Sequence, residues 1–261
     1  MKAEGDIKKE NKMVKIGIIG GSGLDNSEIL QGFKEIEVDT KYGKPSDKLI
    51  IGKLGNAEVV ILPRHGKEHK ITPTGVNYRA NIQALKDQKV DCILATTACG
   101  SLREDIGRGD FVILDQFIDF TRHRQITFHE DFKEGIRHAP MANPFSRELR
   151  KVLIETSKES GFKTHEKGTV ITIEGPRFST KAESHMFRLW GADVINMSIA
   201  PEVILANEAE IPYATIAMVT DFDSWKEEET SVTWEEILKV FEQNAENVKK
   251  LLIETVRKLS E

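Results

Sequence analysis

The sequence predicts an α/β fold, a single domain with a mixed, largely parallel central sheet flanked by helices. Apolar runs of strand length alternate along the chain with amphipathic stretches of helix length, as in sheets whose strands are joined by helices. Several of the strand-length runs are almost continuous in Val, Ile and Ala, which indicates strands covered on both faces. Since no repeat or Pro/Ser-rich linker divides the 261 residues, we predict one domain over 13–261 after a flexible tail over 1–12.

The apolar runs and amphipathic stretches predict the elements in order. The predicted strands are Lys15–Gly20, Leu49–Lys53, Val59–Leu62, Cys92–Thr96, Phe111–Asp115, Val170–Ile173, Val194–Met197 and Tyr213–Thr220. The predicted helices are Asn77–Lys89, Pro144–Ser160, Lys181–Trp190, Pro201–Glu208 and a last helix that follows Thr233. Asn143 is a candidate N-cap for the second helix, and Thr233 with Glu236 forms a candidate capping box for the last.

Composition argues against several classes of protein. Thirty-seven basic and 42 acidic side chains leave a net charge of −5 with no basic stripe, so no nucleic-acid partner is expected. No apolar run approaches the roughly 18 residues of a membrane span, and the charged N-terminus does not look like a secretory signal. We therefore expect a cytoplasmic protein without a membrane partner. On one strand Cys92 and Cys99 would lie about 23 Å apart, too far for a disulfide.

The first candidate site follows the first strand, in the sequence Gly20-Gly21-Ser22-Gly23. A dinucleotide-binding loop would need its third glycine at Asn26, so that interpretation is disfavoured. Two alternatives remain. The glycines could let backbone N–H groups approach an anion, with the Ser22 hydroxyl as a further donor, or the segment could be an ordinary turn.

Arg64 and His65 come just after the apolar run Val59–Leu62 and form the second candidate site. An Arg guanidinium offers a donor fork that suits phosphate, and His can bind an oxyanion or carry a proton. The string His65-x-x-Glu68-His69 also matches an inverted zinc-protease motif, but that motif needs a helix. Because Pro63, Gly66 and Pro73 oppose a helix here, we expect no metal site, and an exposed basic loop is the other alternative.

Four further strand ends carry small, polar or aromatic side chains. In open α/β sheets, ligands gather at the carboxyl ends of strands. The residues concerned are Thr97 and Ala98, Phe178, Met197 and Ser198, and Asp221 and Asp223. Each could instead be a turn, a core side chain or a solvated loop. Two neighbouring carboxylates repel each other, which favours a proton on one of them and would let it protonate a leaving group.

These motifs together resemble the trimeric purine nucleoside phosphorylase family, and among its members those that act on 5′-methylthioadenosine. The resemblance covers nearly the whole chain, from about Lys15 to beyond Trp225. The matching segments are GGSGLD, LPRHG, NYRANI, TTACGSL, DQFIDFT, TIEGPRFST, INMSIAPE and TDFDSW.

The resemblance implies a nucleoside phosphorylase-like fold and a phosphorolysis, in which methylthioadenosine and phosphate give adenine and 5-methylthioribose 1-phosphate. This reaction belongs to purine and methionine salvage. It needs no cofactor, since inorganic phosphate is a co-substrate. The family works as homo-oligomers, which implies a trimer or a hexamer here. The implied phosphate-binding residues are Ser22, Arg64, His65, Thr97, Ala98 and Ser198.

The resemblance also implies how the nucleoside is held. Asp221 and Asp223 would bind the base, and Asp221 would protonate it. Phe178 would stack on the purine, and Met197 would pack beneath the ribose. Val232 would offer an apolar surface to the methylthio group.

His138 matches a position that the family contributes across a subunit interface. A phosphorylase with a broader range, acting on adenosine, inosine or guanosine, is the alternative within the family. Outside it, a nucleotide-dependent oxidoreductase and a non-catalytic nucleoside-binding module are the rival classes.

Overall fold

The computed structural model describes residues 13–20, 29–133, 135–226 and 234–261. Its strands are β1 Lys15–Gly20, β2 Gln31–Ile36, β3 Leu49–Leu54, β4 Ala57–Pro63, β5 Cys92–Ser101, β6 Phe111–Ile113, β7 Gln116–Phe120, β8 Thr164–His165, β9 Thr169–Ile173, β10 Val194–Asn196 and β11 Tyr213–Phe222. Its α-helices are α1 Tyr78–Asp87, α2 Arg147–Glu159, α3 Lys181–Leu189, α4 Ile199–Glu208 and α5 Trp234–Leu259. The predicted tail, Ser22, Val232 and the candidate cap Thr233 lie outside the described residues.

All of these strands belong to one mixed sheet. Its main path runs β2-β3-β4-β1-β5-β10-β9-β7, while β11 pairs with β5 and β6, and β6 pairs with β8. The pairs β1–β4, β1–β5, β5–β11, β9–β10, β7–β9 and β6–β8 are parallel. The pairs β2–β3, β3–β4, β5–β10 and β6–β11 are antiparallel. The predicted fold class, with a mixed and largely parallel sheet, is confirmed.

Helices cover both faces of the sheet. One core cluster contains Ile82 and Leu85 of α1 together with Val203 and Leu205 of α4. A second cluster contains side chains of α2 and α5, with Leu153 and Leu252 both fully buried. Helix α2 contacts β6, β8 and β11, and α5 contacts β3, β5 and β11. Because the central strands lose solvent contact on both faces, their sequences are the apolar runs from which they were predicted. No helix among the described residues is long and apolar enough to cross a membrane.

Two helix starts differ from their prediction by more than one residue. The N-cap of α2 is Ser146, whose hydroxyl accepts from the backbone N–H of Leu149 at 3.3 Å, so the prediction of Asn143 is wrong. The side chain of Asn143 instead accepts from the guanidinium of Arg147 at 2.9 Å. Helix α4 begins at Ile199, two residues before the predicted Pro201, which places Ser198 at its N-cap. The shift at α4 lies within the usual uncertainty of helix ends, whereas the three-residue shift at α2 exceeds it.

Part of the long strand β5 has no paired strand along one of its edges. This gap in the sheet is where the site lies. Along one edge, β11 pairs with β5 from Ile93 to Ser101. Along the other edge, β1 pairs only as far as Ala95, and β10 enters antiparallel at Gly100. The stretch Thr96–Cys99 therefore faces neither β1 nor β10. Because β10 runs toward this gap, the residues that follow it enter the same space.

Candidate active site

A cavity of about 220 Å³ lies at this gap. The carboxyl ends of β4, β9, β10 and β11 and the second half of β5 converge on it, as open α/β sheets lead one to expect. It is lined by these predicted site residues: Arg64, His65, Thr97, Ala98, Phe178, Met197, Ser198, Asp221 and Asp223. The structure thus brings together all the predicted site residues that it describes, with the exception of His138.

Arg64 lies at one end of the cavity, directly after β4. Its backbone N–H donates to the carbonyl of Gly20 at 2.9 Å, and Gly66, at a φ of +74°, turns the chain away. The side chain is 3% exposed, and its Nη1 donates to the carbonyl of Thr96 at 2.8 Å. The turn at Gly66 therefore sends the guanidinium into the gap beside β5.

Glu202 of α4 is the partner that keeps the Arg64 charge inside the protein. Its carboxylate accepts from Nε of Arg64 and, at 3.0 Å, from Nη2. Tyr213 donates its hydroxyl to the same carboxylate at 2.7 Å. Burial alone would lower the pKa of Arg64, but the ion pair with Glu202 outweighs it and raises that pKa above its ordinary value.

His65 lines the cavity next to Arg64 and is held in one tautomer. Its Nδ1 lies 2.9 Å from the carbonyl oxygen of Ile71, and a carbonyl can only accept, so Nδ1 carries the hydrogen. Burial, and then the neighbouring Arg64 charge, lower the pKa of His65 to about 4. The ring is therefore neutral at physiological pH, with its hydrogen on Nδ1. Residues 64–72 form turns rather than a helix, as the sequence predicted.

Thr97 is fixed on β5 by a buried chain of hydrogen bonds. Thr172 of β9 donates its hydroxyl to the side-chain oxygen of Asn196 at 2.8 Å. The amide of Asn196 then donates to the hydroxyl of Thr97 at 3.2 Å. These bonds join β5, β9 and β10 across the gap, and they fix the Thr97 hydroxyl beside Ala98 in the cavity wall.

Ser198 brings the N-terminus of α4 to the same end of the cavity. It occupies the N-cap position, yet its side chain makes no capping hydrogen bond. The positive end of a helix dipole favours an anion, and so does a hydroxyl that does not cap its own helix. Arg64, His65, Thr97 and Ser198 therefore form a cradle with the chemistry of a phosphate site.

Met197 packs in the middle of the cavity against Gly175. A Cβ at Gly175 would lie 2.6 Å from the sulfur of Met197 and 2.9 Å from the ring of Pro73, so only glycine fits. Arg124 donates to the carbonyl of Met197 at 2.5 Å and is itself held by Glu174. Met197 is thus fixed from both its side chain and its backbone, as a platform for an apolar ligand face should be.

Asp221 and Asp223 form the acidic end of the cavity. The register of β11 shifts at Thr220, whose hydroxyl donates to Asp221 at 2.6 Å. Asp223 is 7% exposed and accepts from the hydroxyl of Ser179 at 2.6 Å. Gly100 packs beside both aspartates and Ile195. A Cβ at Gly100 would lie 3.1 Å from the side chain of Ile195, which is a tight contact.

The cationic and acidic ends are separated along β5. Arg64 bonds to Thr96, whereas Asp221 and Asp223 pack beside Gly100. Four residues of extended chain span about 13 Å. Phe178, half exposed at 51%, lines the cavity from the loop between β9 and α3. The site thus offers an anion cradle, an apolar middle, an aromatic ring and two carboxylates.

The remaining predicted residues are not part of this cavity. His138 is exposed and contacts the ring of Phe132, with ring centroids 5.7 Å apart, and it does not line the cavity of its own chain. Ser22 and Val232 lie outside the described residues. The described residues contain no group of three or more His, Cys, Asp or Glu side chains arranged to hold a metal ion.

Three functional side chains were missed from the sequence. Glu202 binds Arg64, Tyr213 donates to Glu202, and Ser179 donates to Asp223. A signal for Glu202 was present, because it is an acidic residue inside the apolar segment IAPEVILA, and a buried acid needs a partner. Ser179 adjoins the predicted Phe178 but belongs to no pattern of its own.

The Arg64–Glu202 pair leads to a prediction on stability. Glu202→Gln should lower the free energy of unfolding by roughly 3–5 kcal/mol, because it leaves the buried Arg64 charge without a counter-ion. Urea unfolding would measure the loss. The double variant Arg64→Met, Glu202→Leu should recover most of it, since no charge is then buried unpaired.

An exposed pair provides the control for that experiment. Glu254 and Arg257 are about half exposed and lie 2.9 Å apart on α5. Glu254→Gln makes the same chemical change and should cost at most about 1 kcal/mol. Equal losses in Glu202→Gln and Glu254→Gln would contradict the assignment of a buried, obligatory pair.

Comparison with known proteins agrees with this geometry. The model of the Phosphorylase superfamily matches residues 15–257. The chain is 56% identical to the S-methyl-5′-thioadenosine phosphorylase of Xenopus tropicalis over 251 residues, which are 95% of this chain and 89% of that protein. It is 52% identical to the enzyme of the same name from Saccharolobus solfataricus over 254 residues, 97% of this chain and 93% of that one.

A solved structure extends the similarity to the fold. The methylthioadenosine phosphorylase from Schistosoma mansoni, in complex with adenine, matches with a TM-score of 0.89 at 43% sequence identity. The match covers 94% of this chain and 92% of that one. The matched region of the family contains every described residue that lines the cavity. The chain belongs to the Phosphorylase superfamily.

Proposed function

We propose that the chain catalyses the phosphorolysis of 5′-methylthioadenosine to adenine and 5-methylthioribose 1-phosphate. The observation that carries the proposal is the cavity along β5, with Arg64 at one end and Asp221 at the other. The names of the relatives support the same substrate. Inorganic phosphate is the co-substrate, and the reaction needs no other cofactor.

The two ends of the cavity divide the chemistry between them. Breaking an N-glycosidic bond builds positive charge at C1′ of the sugar, as in glycoside cleavage. A phosphate held by Arg64, His65, Thr97 and Ser198 stabilises that charge and attacks C1′. Protons balance over the whole reaction. HPO₄²⁻ loses one hydrogen and adenine gains one, while the sugar phosphate leaves as a dianion.

The nucleoside occupies the rest of the cavity. Met197 packs beneath the ribose, and Phe178 stacks on the purine. Asp221 donates a proton to N7 of the leaving adenine, and Asp223, oriented by Ser179, binds its N6 edge. Asp221 regains a proton from solvent before the next turnover. Val232 belongs to this proposal as the wall for the methylthio group.

The experiment is to mix the purified chain with methylthioadenosine, with and without inorganic phosphate, and to measure adenine by chromatography. Adenine should form only with phosphate. Release that does not depend on phosphate would indicate a hydrolase, and no release would leave a nucleoside-binding module. Arg64→Ala serves as the control, because activity from a contaminating enzyme would persist in that preparation with an unchanged phosphate requirement.

The proposal includes a homotrimer, alone or paired as a hexamer, in the cytoplasm. Phe132 and Ile136, 51% and 75% exposed, precede His138 in the chain and would be covered in an assembly. In the trimer His138 would reach a neighbouring site. The two buried free cysteines, Cys92 and Cys99, fit a reducing compartment. Sedimentation velocity would measure the oligomeric state, and a monomer would contradict this part of the proposal.

A further inference from the structure

The anion cradle contains almost no net charge of its own. The positive charge of Arg64 is paired with Glu202, and both side chains are buried. An Arg has five N–H groups. Three of them bond to Glu202 and Thr96, which leaves one N–H on each of Nη1 and Nη2 for a ligand. An anion here must therefore be recognised chiefly through hydrogen bonds, so the polarity of each group in the wall decides what fits.

His65 presents an acceptor to this cradle. Its Nδ1–H is committed to the carbonyl of Ile71, so the Nε2 of the neutral ring carries a lone pair rather than a hydrogen. No described residue hydrogen-bonds to Nε2. The ring lines the cavity, so Nε2 is the atom of His65 that is left to meet a ligand.

The charged and titratable groups that act on His65 keep the ring neutral. Burial has the largest effect and Arg64 the next, and both lower the pKa of His65. The hydrogen bond to Ile71 and the charge of Glu202 act in the opposite direction, but they do not outweigh burial and Arg64. His69, with its ring centroid 6.2 Å away, adds a small effect in the same direction as Arg64.

We propose that His65 makes the cradle selective for tetrahedral oxyanions that carry a hydrogen, because Nε2 accepts that hydrogen. This inference rests on the proposed function in so far as it takes the cradle to be the phosphate subsite. Inorganic phosphate and arsenate both carry a hydrogen near neutral pH, whereas sulfate does not. A sulfate oxygen would face the Nε2 lone pair, and sites built around one hydrogen bond reject analogues that cannot form it.

The proposal gives His65 a defined place in the reaction. HPO₄²⁻ donates its one hydrogen to Nε2, which orients the anion so that a bare oxygen can face C1′. No bond to hydrogen breaks on binding, and no proton is taken from solvent. Sulfate can satisfy the site only if the ring first takes a proton from solvent, so its binding should weaken as pH rises.

Calorimetry on the whole protein without nucleoside tests this. Phosphate, arsenate and sulfate are titrated above the second pKa of phosphate, in buffers that differ in ionisation enthalpy, which gives the protons taken up per anion. For the wild type we expect about zero protons with phosphate or arsenate and about one with sulfate. Sulfate should bind at least about 10²-fold more weakly. Its Kd should rise about tenfold per pH unit.

Two variants complete the experiment. His65→Gln offers an amide that can donate and does not titrate, so sulfate binding should become independent of pH and approach that of phosphate. His185→Gln makes the same change at an exposed position on α3 and should behave as the wild type. Thermal melts identify a variant that fails to fold, in which case the wild-type proton counts decide alone.

Each outcome bears on a different statement. Uptake of one proton with phosphate as well as sulfate would mean that the ring binds as imidazolium, which overturns the inference. Equal, pH-independent binding of phosphate and sulfate would overturn it too. If neither phosphate nor arsenate binds, with or without nucleoside, the phosphate subsite itself fails and the proposed function fails with it.

Discussion

Asp221→Asn is expected to lower kcat for methylthioadenosine by about 10²–10⁴-fold while changing substrate binding much less. A neutral amide can still hydrogen-bond to the purine, but it cannot transfer a proton to N7 of the leaving base. Asn also keeps the size of Asp, so the contacts of Thr220 and Gly100 with this position are preserved. Steady-state kinetics at saturating phosphate would separate kcat from KM.

A change of leaving group isolates the proton transfer. A ribosyl substrate that releases 4-nitrophenolate needs no proton on its leaving group, so Asp221→Asn should retain most of its activity on it. Asp87→Asn, on the exposed end of α1, is the matched control and should leave both activities unchanged. If Asp221→Asn turned over methylthioadenosine at the wild-type rate, the acid would have to be another group.

Burial explains which elements of the fold could be predicted. Six strands are covered on both faces, and their continuous apolar runs made them recognisable in the sequence. These strands are β1, β3, β4, β5, β9 and β11. Strand β2 was missed because five of its six residues, in QGFKEI, are exposed and show no apolar pattern. Strand β8 was missed for another reason, since two residues are too few to form a pattern.

The site was predictable where side chains follow a buried strand. Arg64, Thr97, Ser198 and Asp221 each lie at or just beyond a recognisable run, so their meeting at one edge follows from the fold class. What the sequence does not reveal is how those side chains are held. The gap beside β5 depends on where β1 stops pairing and β10 starts, and no local pattern encodes that register.

The partners of the site residues illustrate this limit. Glu202 binds Arg64 across 138 positions of sequence, and Ser179 binds Asp223 across 44. From the sequence, the guanidinium fork of Arg64 was expected to bind phosphate. In the structure the Arg64 charge is paired with Glu202. The proposed recognition of phosphate therefore depends on hydrogen-bond donors and on His65. The chemical class of the site could be predicted, but its electrostatic balance could not.

Substrate choice should follow the order methylthioadenosine, adenosine, inosine. The carboxylate of Asp223 can accept from the N6 amino group of an adenine nucleoside, while Asp221 holds the proton for N7. The O6 of inosine would instead face another acceptor, and the site would hold an unpaired polar group. Sites built for one hydrogen bond reject such analogues by about 10⁴-fold or more, so inosine should be a very poor substrate.

The 5′ substituent should matter less than the base. The methylthio group gains apolar contact in place of a hydrated hydroxyl, which is worth on the order of 1–3 kcal/mol, so adenosine should remain a usable substrate. Values of kcat/KM for the three nucleosides at saturating phosphate would test the order. If kcat/KM for inosine equalled that for adenosine, the aspartates would not be selecting the base. The broader purine nucleoside phosphorylase would then be favoured. Equal values for adenosine and methylthioadenosine would remove only the apolar wall assigned to Val232, because the aspartates bind the same base in both nucleosides.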